Sequence, residues 1–73
     1  MTIQTTNLDF AETKRRAKGM TLEALLYSAN DAAEAAIMAE ALERAGCPVS
    51  KSGGYYRDEA SVYRAEIARR RAL

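Results

Sequence analysis

Seventy-three residues with a net charge of +1 allow one domain at most, and leave none of the basic excess that holds nucleic acid without sequence preference. Of the hydrophobic 48%, fifteen residues are alanine, and the twenty larger ones suffice for three short helices but not for a deep enclosed pocket. There is no histidine and only one cysteine, Cys47, which excludes an internal disulfide, a Cys–His pair and a zinc site within one chain. These counts predict no catalytic residues, no metal and no cofactor.

The N-terminus, MTIQTTNLDF, is polar and lacks an uninterrupted apolar core, so no secretion signal is expected there, and residues 1–5 read as a flexible tail. No apolar run approaches the roughly 20 residues that cross a bilayer, and a lone cysteine suits a reducing compartment, so a cytoplasmic location is expected. Thr6, Asn7, Leu8 and Asp9 have capping-box spacing, which predicts a short helix over about 7–18 with Leu8, Phe10, Ala11 and Ala17 as its apolar positions. Lys14, Arg15, Arg16 and Lys18 crowd its last turns, where the helix dipole favours cations, and Gly19 is the natural stop.

Residues 21–45 form the organising stretch. Thr21 is a good N-cap with Glu23 in the first turn, and Met20 and Leu25 have the spacing of a hydrophobic staple. Gly46 suits a left-handed termination, and Pro48 prevents resumption. One unbroken helix is expected, Asn30 being the single place where a fresh cap would split it. Leu22, Leu25, Leu26, Ala29, Ala33, Ala36, Ile37 and Leu42 recur at helical spacing and are read as its packing stripe, either inside one fold or between subunits. The alanine-rich middle predicts a close approach by a second helix.

After a turn over 47–54, with Gly53 and Gly54 as flexible points, residues 55–71 read as the last helix. Tyr56, Ala60, Tyr63 and Ile67 share one face, expected to set large rings against the small side chains of the long helix. The predicted fold is all-α: one small domain in which the 21–45 and 55–71 helices form a hairpin with the 7–18 helix laid across it. So small a core predicts a homo-oligomer.

Charge is segregated along the chain. Residues 21–45 carry five carboxylates against Arg44 alone, a balance of −4, while residues 1–20 hold +2 and residues 46–73 hold +3. Oppositely charged arms can neutralise each other within the fold or between subunits. The segment from Gly46 to Ser52 echoes a phosphate-binding loop, but no glycine precedes Lys51, Pro48 interrupts it and no strand leads into it, so that motif is rejected. What remains is Lys51, Ser52, Gly53 and Gly54 feeding a helix N-terminus, where free N–H groups favour an anion. Tyr55, Tyr56 and Arg57 stand beside them, suited to stack on a base and pair with a phosphate. Arg57, Arg64 and Arg71 recur every seven residues as a ridge, and Glu66 is spaced to form an exposed pair with Arg70.

The segment Lys51 to Arg71, KSGGYYRDEASVYRAEIARRR, resembles the C-terminal half of small helical proteins encoded by phages and prophages, which often read lysine, glycine, tyrosine, an Asp-Glu pair, then Glu and a basic end. It departs from them in its tandem glycines and tyrosines and in lacking a histidine after the Asp-Glu pair. The resemblance implies a phage accessory protein that counters host immunity inside a bacterial cell. On that basis the first expectation is a non-catalytic homo-oligomeric sponge for an anionic cyclic or linear nucleotide. Its site would be Lys51, Ser52, Gly53, Gly54, Tyr55, Tyr56, Arg57 and Arg64, with Lys18 from a neighbour as a further candidate. The alternative is an anti-CRISPR-like inhibitor of a host defence complex, with Glu23, Asp31, Glu34, Glu40 and Glu43 on the long helix meeting a basic surface. A structural or regulatory subunit without ligand is the third. Sequence-specific DNA binding is not expected, because the turn before the last helix is long and glycine-rich.

Overall fold

The computed structural model describes residues 7–73, and within them the chain is three helices in sequence: α1 Phe10–Lys18, α2 Leu22–Arg44 and α3 Gly53–Arg71. The tail at 1–5 and the Thr6 cap lie outside the described residues. α2 and α3 pack side by side as an antiparallel hairpin, and α1 lies against α3 rather than across both helices. The result is a rod of 46 × 20 × 16 Å. Its radius of gyration is 13.5 Å, against about 11 Å for a compact chain of this length, so much of each helix faces solvent.

Each helix begins at a side-chain cap. α2 starts where the sequence places it: the Thr21 hydroxyl accepts a hydrogen bond from the Ala24 N–H at 3.1 Å, and Met20 and Leu25 join one core cluster. α2 runs through Asn30 without a break. It ends on Gly46 at φ +77°, where the Gly46 N–H donates to the Glu43 carbonyl and the Cys47 N–H to the Leu42 carbonyl, the paired bonds of a Schellman termination. α1 begins three residues later than expected. Asp9, not an earlier residue, is its cap, accepting from the Glu12 N–H, and Thr13 fixes the turn by donating its hydroxyl to the Asp9 carbonyl at 2.7 Å. This shift leaves Leu8 buried ahead of the helix and turns Phe10 and Ala11 outward.

α3 begins two residues earlier than expected. Ser52 caps it, accepting from the Tyr55 N–H, so Gly53 and Gly54 are its first turn rather than flexible points of a loop. Gly53 is there because nothing larger fits. A Cβ at that position would lie 2.3 Å from Glu40 Cγ and 3.3 Å from the Ala36 carbonyl oxygen. The two helices are thus closest beside the alanine section of α2.

The packing stripe of α2 differs from the predicted one. Leu25, Ala29, Ala32, Ala36 and Ala39 are buried, at spacings of four, three, four and three. Leu22, Leu26, Ile37 and Leu42 are exposed instead. α3 supplies the bulk that fills the space, with Ala60, Tyr63 and Ile67 buried and Tyr56 half-buried as the periodicity predicts, and Val62 and Glu66 buried as well. Large residues on α3 need small ones opposite, so the alanine side of α2 turns inward with Leu25, while Leu22, Leu26 and Leu42 turn out.

Beside the apolar contacts of Leu8 and Ala17, one arginine ties the end of α1 to α3. The Arg70 guanidinium donates to the carbonyls of Ala17, Lys18 and Met20, at 3.2, 3.2 and 2.7 Å, and its Nε donates to Glu66 at 2.9 Å. These carbonyls end α1 and lead into α2, so Arg70 closes a helix terminus that has no other side-chain partner among the described residues. Glu66 is buried and takes Arg69 as well, and hydrogen bonds from both arginines, Arg69 first, hold its carboxyl far below the usual carboxylate range, at about 2. The exposed Glu66–Arg70 pair expected from spacing is therefore a largely covered pair within α3 that holds Arg70 against the end of α1.

Candidate functional site

The predicted ligand residues, from Lys51 to Arg57, share one corner at the start of α3, beside the end of α2. Here α2 contributes carboxylates. Glu43 accepts the Gly53 N–H at 2.9 Å, and Glu40 accepts both Nε and Nη2 of Arg57, at 2.7 and 2.6 Å. The Arg57 hydrogen bond is the main reason that the Glu40 carboxyl is lowered, and Glu40 in turn raises Arg57. The helix terminus and the arginine that were read as an anion site thus already hold two anions, both from this chain.

Around that core, Lys51 Nζ sits 4.8 Å from the centroid of the Tyr55 ring, and the Tyr55 and Tyr56 rings meet edge to face at 5.6 Å. Tyr55 packs against the core and lines a hollow shared with Phe10 and Asp58, whose carboxylate disfavours a bound phosphate. Tyr56 lines a different hollow with Met38, Leu42, Pro48 and Val49. Arg64 is not part of the corner. It lies on an open groove of about 590 Å³ along the α2–α3 seam, with Leu26, Asn30, Ile67 and Arg71. Lys18 lies near Lys14, Glu66 and Arg69 on the α1 side of α3.

The five carboxylates of α2 divide by position. Glu40 and Glu43 are spent on α3, while Glu23, Asp31 and Glu34 are exposed and, among the described residues, pair with no cation. They share the outward side of α2 with most of the exposed large apolar side chains among the described residues. Tyr27, Asp31, Glu34, Met38 and Leu42 follow one another at spacings of four, three, four and four, which makes a continuous stripe. Tyr27 is 73% exposed and Met38 63%. A second stripe runs beside it: Leu22, Leu26, Asn30, Ala33 and Ile37.

Sequence reasoning found the acid on α2 but not its division, and missed the roles of Arg70, Glu66 and Thr13. An excess of acid at the end of α2, next to a glycine turn, was the available signal for Glu40 and Glu43. Local spacing marks the Glu66–Arg70 pair, but nothing local marks the reach of Arg70 to the end of α1, whose carbonyls are fifty or more residues away. Among the described residues no group of three His, Cys, Asp or Glu side chains gathers to hold a metal ion, and no helix is long and apolar enough to cross a membrane. Comparison with family models, with curated proteins and with solved structures finds no match to this chain.

Proposed function

We propose that this chain is a non-catalytic binding protein that docks a basic, partly apolar protein surface on the outward side of α2. The observation that carries this reading is the stripe of Tyr27, Asp31, Glu34, Met38 and Leu42, in which two unpaired carboxylates are flanked by large exposed apolar groups. An aromatic and a thioether supply contact area, and the carboxylates steer a cationic partner into place. A nucleic-acid-reading surface of a host defence complex has that chemistry, which makes the inhibitor role implied by the phage resemblance the preferred setting.

The nucleotide sponge ranks second. An incoming phosphate has to displace Glu40 from Arg57 and Glu43 from Gly53, and each displacement removes a contact that joins α2 to α3. The observation in its favour is that Lys51 and Tyr55 stay half-exposed at the rim of the same corner.

The test is a binding assay against proteins captured from the cells that make this chain, repeated with a Tyr27→Ala, Asp31→Lys variant. Affinity should fall more than about tenfold and wild-type binding should weaken with salt. Unchanged affinity, or stoichiometric uptake of a nucleotide abolished by Arg57→Ala, would overturn the preference.

A further inference from the structure

The second stripe of α2 calls for a different occupant, and its neighbours identify it. Leu26, Asn30, Ala33 and Ile37 recur at four, three and four, the spacing of a coiled-coil seam, with Leu22 one turn earlier. Leu22, Leu26 and Ile37 are between 42% and 62% exposed. The interior of one chain is poor by comparison, since among the described residues six of the eleven buried hydrophobic ones are alanine.

Beside this stripe runs the arginine row of α3. The Arg57 head is bonded to Glu40. In an antiparallel hairpin, seven residues further along α3 correspond to seven back along α2, which sets the Arg64 head level with Ala33 and the Arg71 head level with Leu26. The groove that Arg64 and Arg71 share with Leu26 and Asn30 agrees with that register. Neither arginine pairs with a carboxylate among the described residues. Glu34 and Glu23, also unpaired, stand on the far edge of the stripe at nearly the same two levels.

We infer that the stripe is the seam of a parallel, in-register homodimer, in which Arg64 meets Glu34 of the partner subunit and Arg71 meets Glu23 of the partner subunit. A two-fold axis parallel to α2 places α3 of each protomer on opposite sides of the seam, over the acidic edge of the other α2. An antiparallel pairing instead puts both arginine rows on one side, with Arg64 facing its own copy. In the parallel seam Asn30 meets Asn30 of the partner subunit, a polar layer that fixes register in two-stranded coils. Tyr27, Asp31, Met38 and Leu42 stay outside, so in the dimer the outward docking proposed above rests on those four, Glu34 being taken by the seam.

The experiment is sedimentation equilibrium of the full chain without any added partner, so that its outcome does not depend on that docking. The expected result is a reversible shift from 8.0 kDa to twice that mass within the micromolar to millimolar range. Arg64→Glu alone and Glu34→Arg alone should each weaken dimerisation at least about tenfold, and the two together should restore it. That restoration also shows that the single variants did not simply unfold. In a Cys47→Ser background, Ile37→Cys should form an intermolecular disulfide, because only the parallel register brings that position against its own copy. A monomer at every concentration, a charge swap that fails to restore association, or no Ile37→Cys cross-link overturns the proposal.

Discussion

Arg70→Met removes the guanidinium while keeping an apolar stem of similar reach. Three backbone carbonyls lose a charged donor, at Ala17, Lys18 and Met20. The Lys18 site is exposed and regains water, and the Ala17 carbonyl keeps the Met20 N–H, so the loss is concentrated at Met20 and at the join between helices. A net value of about 1 kcal/mol per bond gives a destabilisation of about 2–3 kcal/mol. That is a large part of the roughly 4–11 kcal/mol available to a domain of this length. The midpoint of thermal unfolding, followed by circular dichroism at 222 nm, should fall by about 10–20 °C. Amide exchange should quicken first in α1, because α1 rests on α3 and Arg70 closes its end. Arg70→Lys, which keeps one donor and the charge, should recover only part of the loss. A midpoint within about 2 °C of wild type would refute the reasoning, since it would mean that α1 is held by its apolar contacts alone.

Gly53→Ala should destabilise by about 1–3 kcal/mol, because the new methyl group drives Glu40 off Arg57 and presses on the Ala36 carbonyl. This outweighs the ~0.5–1 kcal/mol that alanine gains over glycine in a helix, and a rise in the urea midpoint would contradict the close approach. Ala36→Leu, at a fully buried position facing that approach, should cost about 1–3 kcal/mol in the same assay, and a neutral result would mean that the helices do not meet there. For pH, the native Glu66 carboxyl is lowered from 4.5 to about 2, so protonation is disfavoured in the folded state. Its contribution is complete above about pH 4.5 and is lost as pH falls toward 2. Glu12 and Glu40, lowered by Arg15 and Arg57, act in the same direction. The stability difference between wild type and Glu66→Gln should therefore stay level from pH 6 to about pH 4.5 and shrink from there toward pH 2, and a pH-independent difference would exclude this role.

The helices were legible in the sequence where local signals decide them. Thr21, Gly46 and Gly19 mark ends by capping chemistry, which needs only neighbouring residues, and α2 passes Asn30 intact because good helix formers surround it. The start of α1 was misread because Thr6 and Asp9 are both acceptable caps, and Asp9 gains from Thr13 bonding back to its carbonyl. The inward side of α2 was misread for a non-local reason. Leucine and isoleucine dominate its hydrophobicity, yet beside the large residues of α3 the inward side beyond Leu25 is all alanine. The same holds for Lys51 to Arg57. The local sequence shows donors gathered at one corner, but only the packed hairpin shows that Glu40 and Glu43 occupy them.

The outward side of α2 is the proposed working surface, and the corner at the start of α3 is filled from within. Photo-cross-linking tests it most directly, with a benzophenone amino acid placed at Tyr27 in one variant and at Tyr55 in another, each expressed in the cells that make the protein. The account predicts a defined protein adduct from Tyr27, lost when Asp31→Lys is added, and no adduct from Tyr55. A protein or nucleotide adduct from Tyr55, with none from Tyr27, would contradict it.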